Sequence, residues 1–174
     1  MSSELIYETM RERYQSQRDR REQIRSSVAT PVTALAFSVY TLAWVSGRID
    51  VSQWENAPTL AAMVLMSISV LCLLAGAIFI VRMERNIIYI DPPDLEELVA
   101  AESRLRQLRE KDHEYVQDQM RGMMAGAYDI IYRRYFASNE QASRDRTRGL
   151  HLIVFGLSLT MIALVVLPFQ GGGV

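Results

Sequence analysis

The sequence predicts an all-α integral membrane protein with three transmembrane helices, and two observations support this prediction. Three windows contain no Asp, Glu, Lys or Arg: residues 26–47, 56–81 and 149–174. Each exceeds the roughly 20 residues that a helix needs to cross the hydrocarbon core. Of the 19 Lys and Arg residues, 18 lie within 1–25 or 82–148, and Arg48 is the exception. Because basic residues mark the cytoplasmic side, we expect the N-terminus inside and the C-terminus outside.

This pattern divides the chain into four segments. They are a cytoplasmic N-terminal helix at 1–27, a transmembrane hairpin at 28–82, a cytoplasmic helical region at 83–148, and a third transmembrane helix with an external tail at 149–174. The two membrane helices are predicted at about 28–46 and 59–82. They form a hairpin because only the short Gly47–Pro58 loop separates them. Three helices enclose no conduit, so a channel requires a homo-oligomeric bundle around a symmetry axis.

The N-terminal helix carries a half-apolar seam at alternating spacings of three and four. Its residues are Tyr7, Met10, Tyr14, Gln17, Arg21 and Ile24. Such a seam is typical of a helix that packs on a neighbour. The other interpretation is a solvated helix whose arginines and glutamates pair along its own surface.

The first apolar window is the most polar of the three. Its hydroxyl residues Thr30, Thr33, Ser38 and Thr41 fall within an arc of about 140° on a helical wheel, and Phe37 shares that face. Hydroxyls there either bond to another helix or to their own backbone, or contact water in a pore. We therefore assign Thr30, Thr33, Phe37 and Thr41 as candidate pore-lining or gate residues, with Phe37 as an apolar constriction that closes by dewetting.

Small residues recur along one face of each of the other two apolar windows. They are Ala62, Ser69, Cys72 and Gly76 in the second, and Gly149, Gly156, Thr160 and Ala163 in the third. Small side chains let helix backbones approach closely in lipid. The two faces therefore predict tight packing between helices or between subunits.

The central region contains the candidate ligand site. Residues 82–148 contain 12 basic and 13 acidic residues, which give a mixed surface without the basic excess of a duplex-DNA binder. Within it, Tyr132, Arg133, Arg134 and Tyr135 combine guanidinium groups, which bind phosphates, with rings that can stack on a base. Contacts between subunits are the default role for such a run, and ligand binding is the more specific hypothesis. Upstream, Gly122 and Gly126 weaken the predicted helix.

No motif indicates an enzyme or a cofactor. The chain has no Walker loop, dinucleotide glycine motif or metalloprotease helix, and no serine, cysteine or histidine constellation for nucleophilic catalysis. Glu110 and His113 have the spacing of a di-iron ligand pair, but we favour a solvated helix face, because a single match of this length arises easily by chance. His151 at the inner membrane edge is a packing residue or a proton-linked one. We therefore expect no catalytic residue, metal or cofactor.

The layout resembles a known class of proteins. A Tyr- and Arg-rich N-terminal helix (Tyr7, Arg11, Arg13, Tyr14 and Arg18) enters a tight membrane hairpin, and a charged helix beginning Asp91-Pro-Pro-Asp-Leu-Glu-Glu97 follows. This arrangement is similar to that of SLATT-type small transmembrane effectors of bacterial anti-phage systems, such as the Hailong system. The third apolar helix departs from the two-helix pattern of that class.

The resemblance implies an oligomeric pore-forming effector in the bacterial inner membrane. Its implied partners are further copies of the chain, the lipid bilayer, and a nucleotidyltransferase or the nucleotide or oligonucleotide that this enzyme makes. Two other functions fit the same layout. One is a non-conducting scaffold or sensor that recruits a cytoplasmic partner, and the other is a holin-like lysis protein.

Overall fold

The computed structural model describes residues 3–86, 90, 92–108 and 113–171, and every regular element in those ranges is helical. Five α-helices lie there: α1 (Ser3–Ser26), α2 (Ala29–Ser46), α3 (Ala57–Arg85), α4 (Leu95–Leu108) and α5 (His113–Val166). Short 3₁₀ turns at Val51–Gln53 and Leu167–Gly171 follow α2 and α5.

Three stretches of helix are long and apolar enough to cross a membrane. The first combines α1 with α2, the second is α3, and the third is α5 with the turn that follows it. This finding confirms the prediction of an all-α protein with three candidate transmembrane helices. Pro58 in the first turn of α3 suits a helix start, and Arg82 and Arg85 in its last turn favour the negative end of the helix dipole.

The helix α5 runs for 54 residues without a break. Gly122 and Gly126, where the sequence predicts a weak point, lie inside it. A glycine in a helix interior costs only about 1 kcal/mol relative to alanine, which the turns on either side offset. Residues 138–148 are also helical, as expected, so the third apolar window continues a helix that begins well before it.

The chain separates into two compact units. Unit 1 comprises Met1–Ile24 and Ile87–Glu140, and unit 2 comprises Arg25–Asn86 and Gln141–Val174. Unit 1 therefore combines most of α1 with α4 and the first part of α5. Unit 2 contains α2, α3 and the remainder of α5, so all three apolar windows belong to it.

In unit 2 the two faces of small residues pack against each other within one chain. Ser69, Gly76, Gly149 and Gly156 are buried. A Cβ added to Gly76 would lie 2.8 Å from Ile153 Cγ1 and 3.1 Å from the Gly149 carbonyl oxygen. A Cβ added to Gly156 would lie 3.2 Å from the Ser69 carbonyl oxygen. Since Gly76 meets Gly149 while Ser69 meets Gly156, α3 and α5 are antiparallel.

A hydroxyl cluster reinforces this contact. Ser69 Oγ donates to the Gly156 carbonyl oxygen at 2.7 Å and lies 2.8 Å from Thr160 Oγ1. Both side chains have no exposed surface. Hydrogen bonds between apolar helices contribute roughly 0.6 kcal/mol each, so the cluster stabilises one register of α3 on α5 more than it adds to total stability.

The helix α2 packs on this pair through one stripe. Its buried residues Pro31, Ser38 and Val45 recur every seven positions. Val45 clusters with Met66 and Ala163, which have little or no exposed surface. Closer to the N-terminus of α2, Ala34, Leu35 and Leu42 pack against a second core of Leu73, Ile80 and Ile153. One stripe of α2 therefore faces the bundle, and the opposite stripe is left uncovered.

In unit 1, α1 and the first part of α5 run parallel. The buried residues of α1 are Tyr14, Gln17, Arg21 and Ile24, which belong to the predicted seam. Contacts appear in the same order along both helices: Ser3 Oγ donates to Asp118 at 2.6 Å, and Asn139 Nδ2 donates to the Gln17 carbonyl oxygen at 2.9 Å. The seam predicted from the sequence is therefore a helix-packing face.

Candidate functional site

The uncovered stripe of α2 contains most of the predicted conduit residues. Thr30, Thr33 and Phe37 are exposed, and Phe37 retains 59% of its surface. With Ala29 and Ala34 they line a shallow groove along the helix. Tyr40 and Trp44 continue the exposed stripe at spacings of three and four, and both rings are exposed. The stripe therefore combines two threonine hydroxyls with three aromatic rings.

Two other hydroxyls of α2 are satisfied by their own helix. Ser38 Oγ donates to the Ala34 carbonyl oxygen at 2.7 Å, and Ser38 faces the bundle interior with no exposed surface. Thr41 Oγ1 donates to the Phe37 carbonyl oxygen at 2.9 Å, and Thr41 is half-buried. The structure thus places Thr30, Thr33 and Phe37 together on the outer stripe, with Thr41 at its margin.

The exposed surfaces of the other two apolar helices are chemically different. On α3 the exposed side chains include Leu71, Leu74 and Ile78, and on α5 they include Val154, Ile162 and Val165. The exposed Ser67 and Ser158 hydroxyls donate hydrogen bonds within their own helices. Ser67 donates to the Met63 carbonyl oxygen and Ser158 to the Val154 carbonyl oxygen. Aliphatic side chains gain most from contact with lipid, so these two surfaces suit the hydrocarbon core better than the α2 stripe does.

The loop end of α2 is held by an aromatic contact. The Arg48 guanidinium carbon lies 4.0 Å from the centre of the Trp44 ring, a cation–π geometry. Asp50 then caps the following turn by accepting from the Ser52 amide at 3.0 Å. The single basic residue between the first two windows is therefore engaged with a tryptophan of the kind that favours a membrane interface.

The structure separates the members of the predicted ligand site. Tyr135 is buried, and its hydroxyl donates to the Ile90 carbonyl oxygen at 2.7 Å and accepts from the Ile90 amide at 3.2 Å. Tyr132 is half-buried, with its ring centre 6.1 Å from that of Phe136. Its ring and that of Tyr135 therefore do not share one open stacking surface.

The two arginines of that run lie at the surface. Arg133 Nε is 3.0 Å from an Asp129 carboxylate oxygen, one turn earlier on α5. Arg134 is exposed. Both guanidinium groups are accessible to an anionic ligand, although binding at Arg133 competes with Asp129. The pair therefore remains a candidate for phosphate binding, without the two tyrosine rings as a joint platform.

A ladder of aromatic rings joins α1 to α5 in unit 1. The ring centres of Tyr14 lie 5.3 Å from Tyr128 and 5.9 Å from Tyr135, and Tyr7 lies 6.0 Å from Tyr128. Burial raises the pKa of Tyr128, and neighbouring Tyr7 raises it further, while Arg11 opposes the change. The tyrosines of the N-terminal helix, which carry part of the SLATT resemblance, therefore serve as core residues here.

Sequence reasoning missed two buried polar contacts. Asp145 is 3% exposed and accepts from Asn86 Nδ2 at 3.2 Å, a bond between the end of α3 and α5. Asn139 is 2% exposed and also approaches the Gln17 side-chain oxygen at 3.2 Å. The 3–4 spacing that included Gln17 indicated the second contact, whereas no sequence pattern distinguished Asp145 from the charged residues around it.

The candidate metal pair is not assembled in the described part of the chain. Glu110 lies outside the described residues, and His113 at the start of α5 is exposed. Among the described residues, no group of three or more His, Cys, Asp and Glu side chains has an arrangement that could hold a metal ion. His151 is exposed on α5.

Comparisons with family models, curated proteins and solved structures found no match. The resemblance to the SLATT class therefore stays a prediction.

Proposed function

We propose that this protein is a homo-oligomeric, channel-forming membrane effector whose conduit is lined by the exposed stripe of α2. One observation carries the proposal. The small-residue faces of α3 and α5 are used inside a single chain, and the hydroxyl-bearing face of α2 is left exposed. A second copy of the chain, or water between copies, is the natural environment for that face.

The physical argument concerns where hydroxyls are tolerated. A hydroxyl in hydrocarbon gains no hydrogen bond from lipid, so an exposed polar stripe favours contact with protein or water. Several α2 helices around an axis would turn Thr30 and Thr33 toward a shared lumen. Phe37 would then form a ring of aromatic side chains at one level, an apolar constriction that opens and closes by wetting and dewetting.

The proposed orientation follows from charge. The arginines near the ends of α3 and of the third apolar window mark one membrane surface as cytoplasmic, and Arg48 lies on the other. In this orientation unit 1 is cytoplasmic and the C-terminus is outside. We place the protein in the bacterial inner membrane and, on the SLATT resemblance, in an anti-phage system. The gating signal would be a nucleotide-derived ligand or a nucleotidyltransferase partner, with exposed Arg133 and Arg134 as candidate contacts.

The test is ion flux through liposomes containing the purified full-length chain. Phe37→Ala removes the proposed constriction and should raise basal flux. Phe155→Ala is the matched control, because Phe155 is exposed to a similar extent, 54% against 59%, but lies on α5. Thr41→Leu replaces a hydroxyl at the margin of the stripe with an apolar side chain and should lower the flux.

Equal effects of the two phenylalanine variants would contradict a conduit along α2. Absence of flux from every variant, with assembly intact, would favour the non-conducting scaffold, in which the α2 stripe packs subunits together. A holin-like protein would conduct without any cytoplasmic signal, so deletion of unit 1 would leave its flux unchanged.

A further inference from the structure

Arg82 of α3 and Arg148 of α5 both lie near the end of the α3–α5 pair where the two helices become charged. Around that end α3 and α5 are in close contact: a Cβ on Gly149 would lie 3.3 Å from Phe79 Cβ and 3.2 Å from the Gly76 carbonyl oxygen. Arg82 follows Phe79 by three residues, and Arg148 immediately precedes Gly149. Both arginines are exposed.

Helical geometry puts these arginines on the flank away from α2. The helix α2 packs on Ile80 and Ile153. At 100° per residue, Arg82 lies about 200° around α3 from Ile80, and Arg148 lies about 140° around α5 from Ile153. Asn86, one turn after Arg82, bonds across to Asp145 of α5. We call the surface between α3 and α5 on that flank, which carries one arginine of each helix, the groove.

The Arg82 side chain turns toward the apolar part of α3. Its guanidinium carbon lies 5.8 Å from the centre of the Phe79 ring, which is one turn deeper in the apolar window. Long basic side chains at a membrane edge bury their stems and bring the charged group to the headgroup level. The Arg82 guanidinium therefore lies beside the last apolar turn of α3.

The charge balance at this end favours an anion. The charged end of unit 2 has six arginines, which are Arg25, Arg82, Arg85, Arg144, Arg146 and Arg148. It has two acidic residues, Glu84 and Asp145. Asp145 is buried and accepts a hydrogen bond from the Asn86 side-chain amide. Its charge offsets part of the positive potential but does not occupy the exposed guanidinium groups.

We propose that this groove binds the phosphate of an anionic phospholipid headgroup between Arg82 and Arg148. Guanidinium groups donate to phosphate oxygens in pairs, and the Phe79 side chain lies where the upper part of an acyl chain would run. The site depends on the chain being in a membrane, not on the conduit proposed for α2. Loss of channel activity therefore does not decide this inference.

The experiment measures lipid binding to the full-length protein in detergent by native mass spectrometry. Wild type is titrated with dioleoylphosphatidylglycerol and with dioleoylphosphatidylcholine, and should prefer the anionic lipid. The Arg82→Gln/Arg148→Gln variant should bind phosphatidylglycerol on the order of tenfold less tightly, because each arginine at a lipid surface contributes appreciably.

The matched control is Arg85→Gln/Arg104→Gln, which removes the same charge. Arg85 lies about 180° around α3 from Gly76, so it faces away from α5, and exposed Arg104 belongs to unit 1. This variant should retain the preference of the wild type. Equal losses in both variants would show diffuse attraction to the basic end and would overturn a discrete site, as would no loss in either.

Two further arms separate folding and ligand source. Arg82→Lys/Arg148→Lys keeps the charge and should bind more tightly than the glutamine pair, so a loss caused by misfolding is recognised. Inorganic phosphate at millimolar concentration should not displace the lipid. Displacement would assign the groove to a soluble phosphate compound and overturn the lipid proposal.

Discussion

The Arg21 guanidinium carbon lies 4.6 Å from the centre of the Tyr135 ring, and both side chains are 3% exposed. A buried arginine on α1 is thereby stacked on a buried tyrosine of α5. Tyr135 also bonds through its hydroxyl to both backbone groups of Ile90. One side chain thus connects α1, α5 and the segment that follows α3, which explains why this tyrosine is in the core rather than in an open ligand site.

The first prediction concerns Tyr135. Tyr135→Phe keeps the ring beneath Arg21 but removes both bonds to Ile90, so unit 1 should be destabilised by about 1–3 kcal/mol. Thermal unfolding in detergent, followed by circular dichroism, measures the change. Tyr132→Phe is the control, because Tyr132 is half-buried on the same helix. Similar midpoints for both variants would contradict the connecting role.

The second prediction distinguishes two kinds of glycine. Gly76→Ala places a Cβ 3.1 Å from the Gly149 carbonyl oxygen and should lower the unfolding midpoint. For Gly122, no heavy atom of the described residues lies within 4 Å of an added Cβ. Gly122→Ala should therefore stabilise α5 by roughly 0.5–1 kcal/mol.

Assembly provides a second measurement on the same variants. Because Gly76 packs within the chain, Gly76→Ala should alter stability before it alters the number of subunits seen by light scattering. Loss of the oligomer at an unchanged unfolding midpoint would instead show that Gly76 lies between subunits.

The third prediction concerns pH. Burial of Tyr128, with Tyr7 beside it, raises the pKa of this phenol above the ordinary value of 10.0. The folded state therefore holds the proton more tightly than the unfolded state does. This contribution to stability is complete below pH 10 and is lost as the pH rises through the folded-state pKa.

Ultraviolet absorbance of tyrosinate follows this titration. The wild-type titration should include a late step from Tyr128, and Tyr128→Phe should remove that step. Tyr115→Phe, at an exposed position, should leave it in place. A late step that survives Tyr128→Phe belongs to another tyrosine, and the assignment is then wrong.

The fourth prediction concerns the membrane topology, in which the Gly47–Pro58 loop should face outward. In a Cys72→Ser background, Ser52→Cys should react with an impermeant maleimide in intact cells. Ser103→Cys on α4 should react only after permeabilisation; both positions are exposed. Gly172, the other outward position predicted from the sequence, lies outside the described residues. The reverse labelling pattern would invert the orientation.

The fifth prediction tests the lumen directly. Thr33→Cys in the same background should react with a small charged thiol reagent, because water would reach the α2 stripe in the proposed channel. Leu71→Cys should not react, since Leu71 is exposed on the surface of α3 that we expect to contact lipid. Protection of both positions would place the α2 stripe in a dry subunit contact.

The sequence by itself determined the all-helical class of this protein and the buried face of α1. Charge-free windows of sufficient length require helices, because backbone groups in hydrocarbon must bond within their own segment. The 3–4 spacing of Tyr14, Gln17 and Arg21 likewise identified the buried side of α1, since helical periodicity alone selects that face.

Tertiary structure decided which partner each face meets. The sequence could not tell whether Gly76 and Gly156 served contacts within the chain or between chains, because small residues permit both. Nor could it show that Tyr135 was buried while Arg133 and Arg134 were exposed, since adjacent helix positions differ by about 100° and only the direction of the neighbouring helix selects the inner one. Pairing of α1 with α5 and of α3 with α5 depends on contacts between residues far apart in the chain, which no local pattern contains.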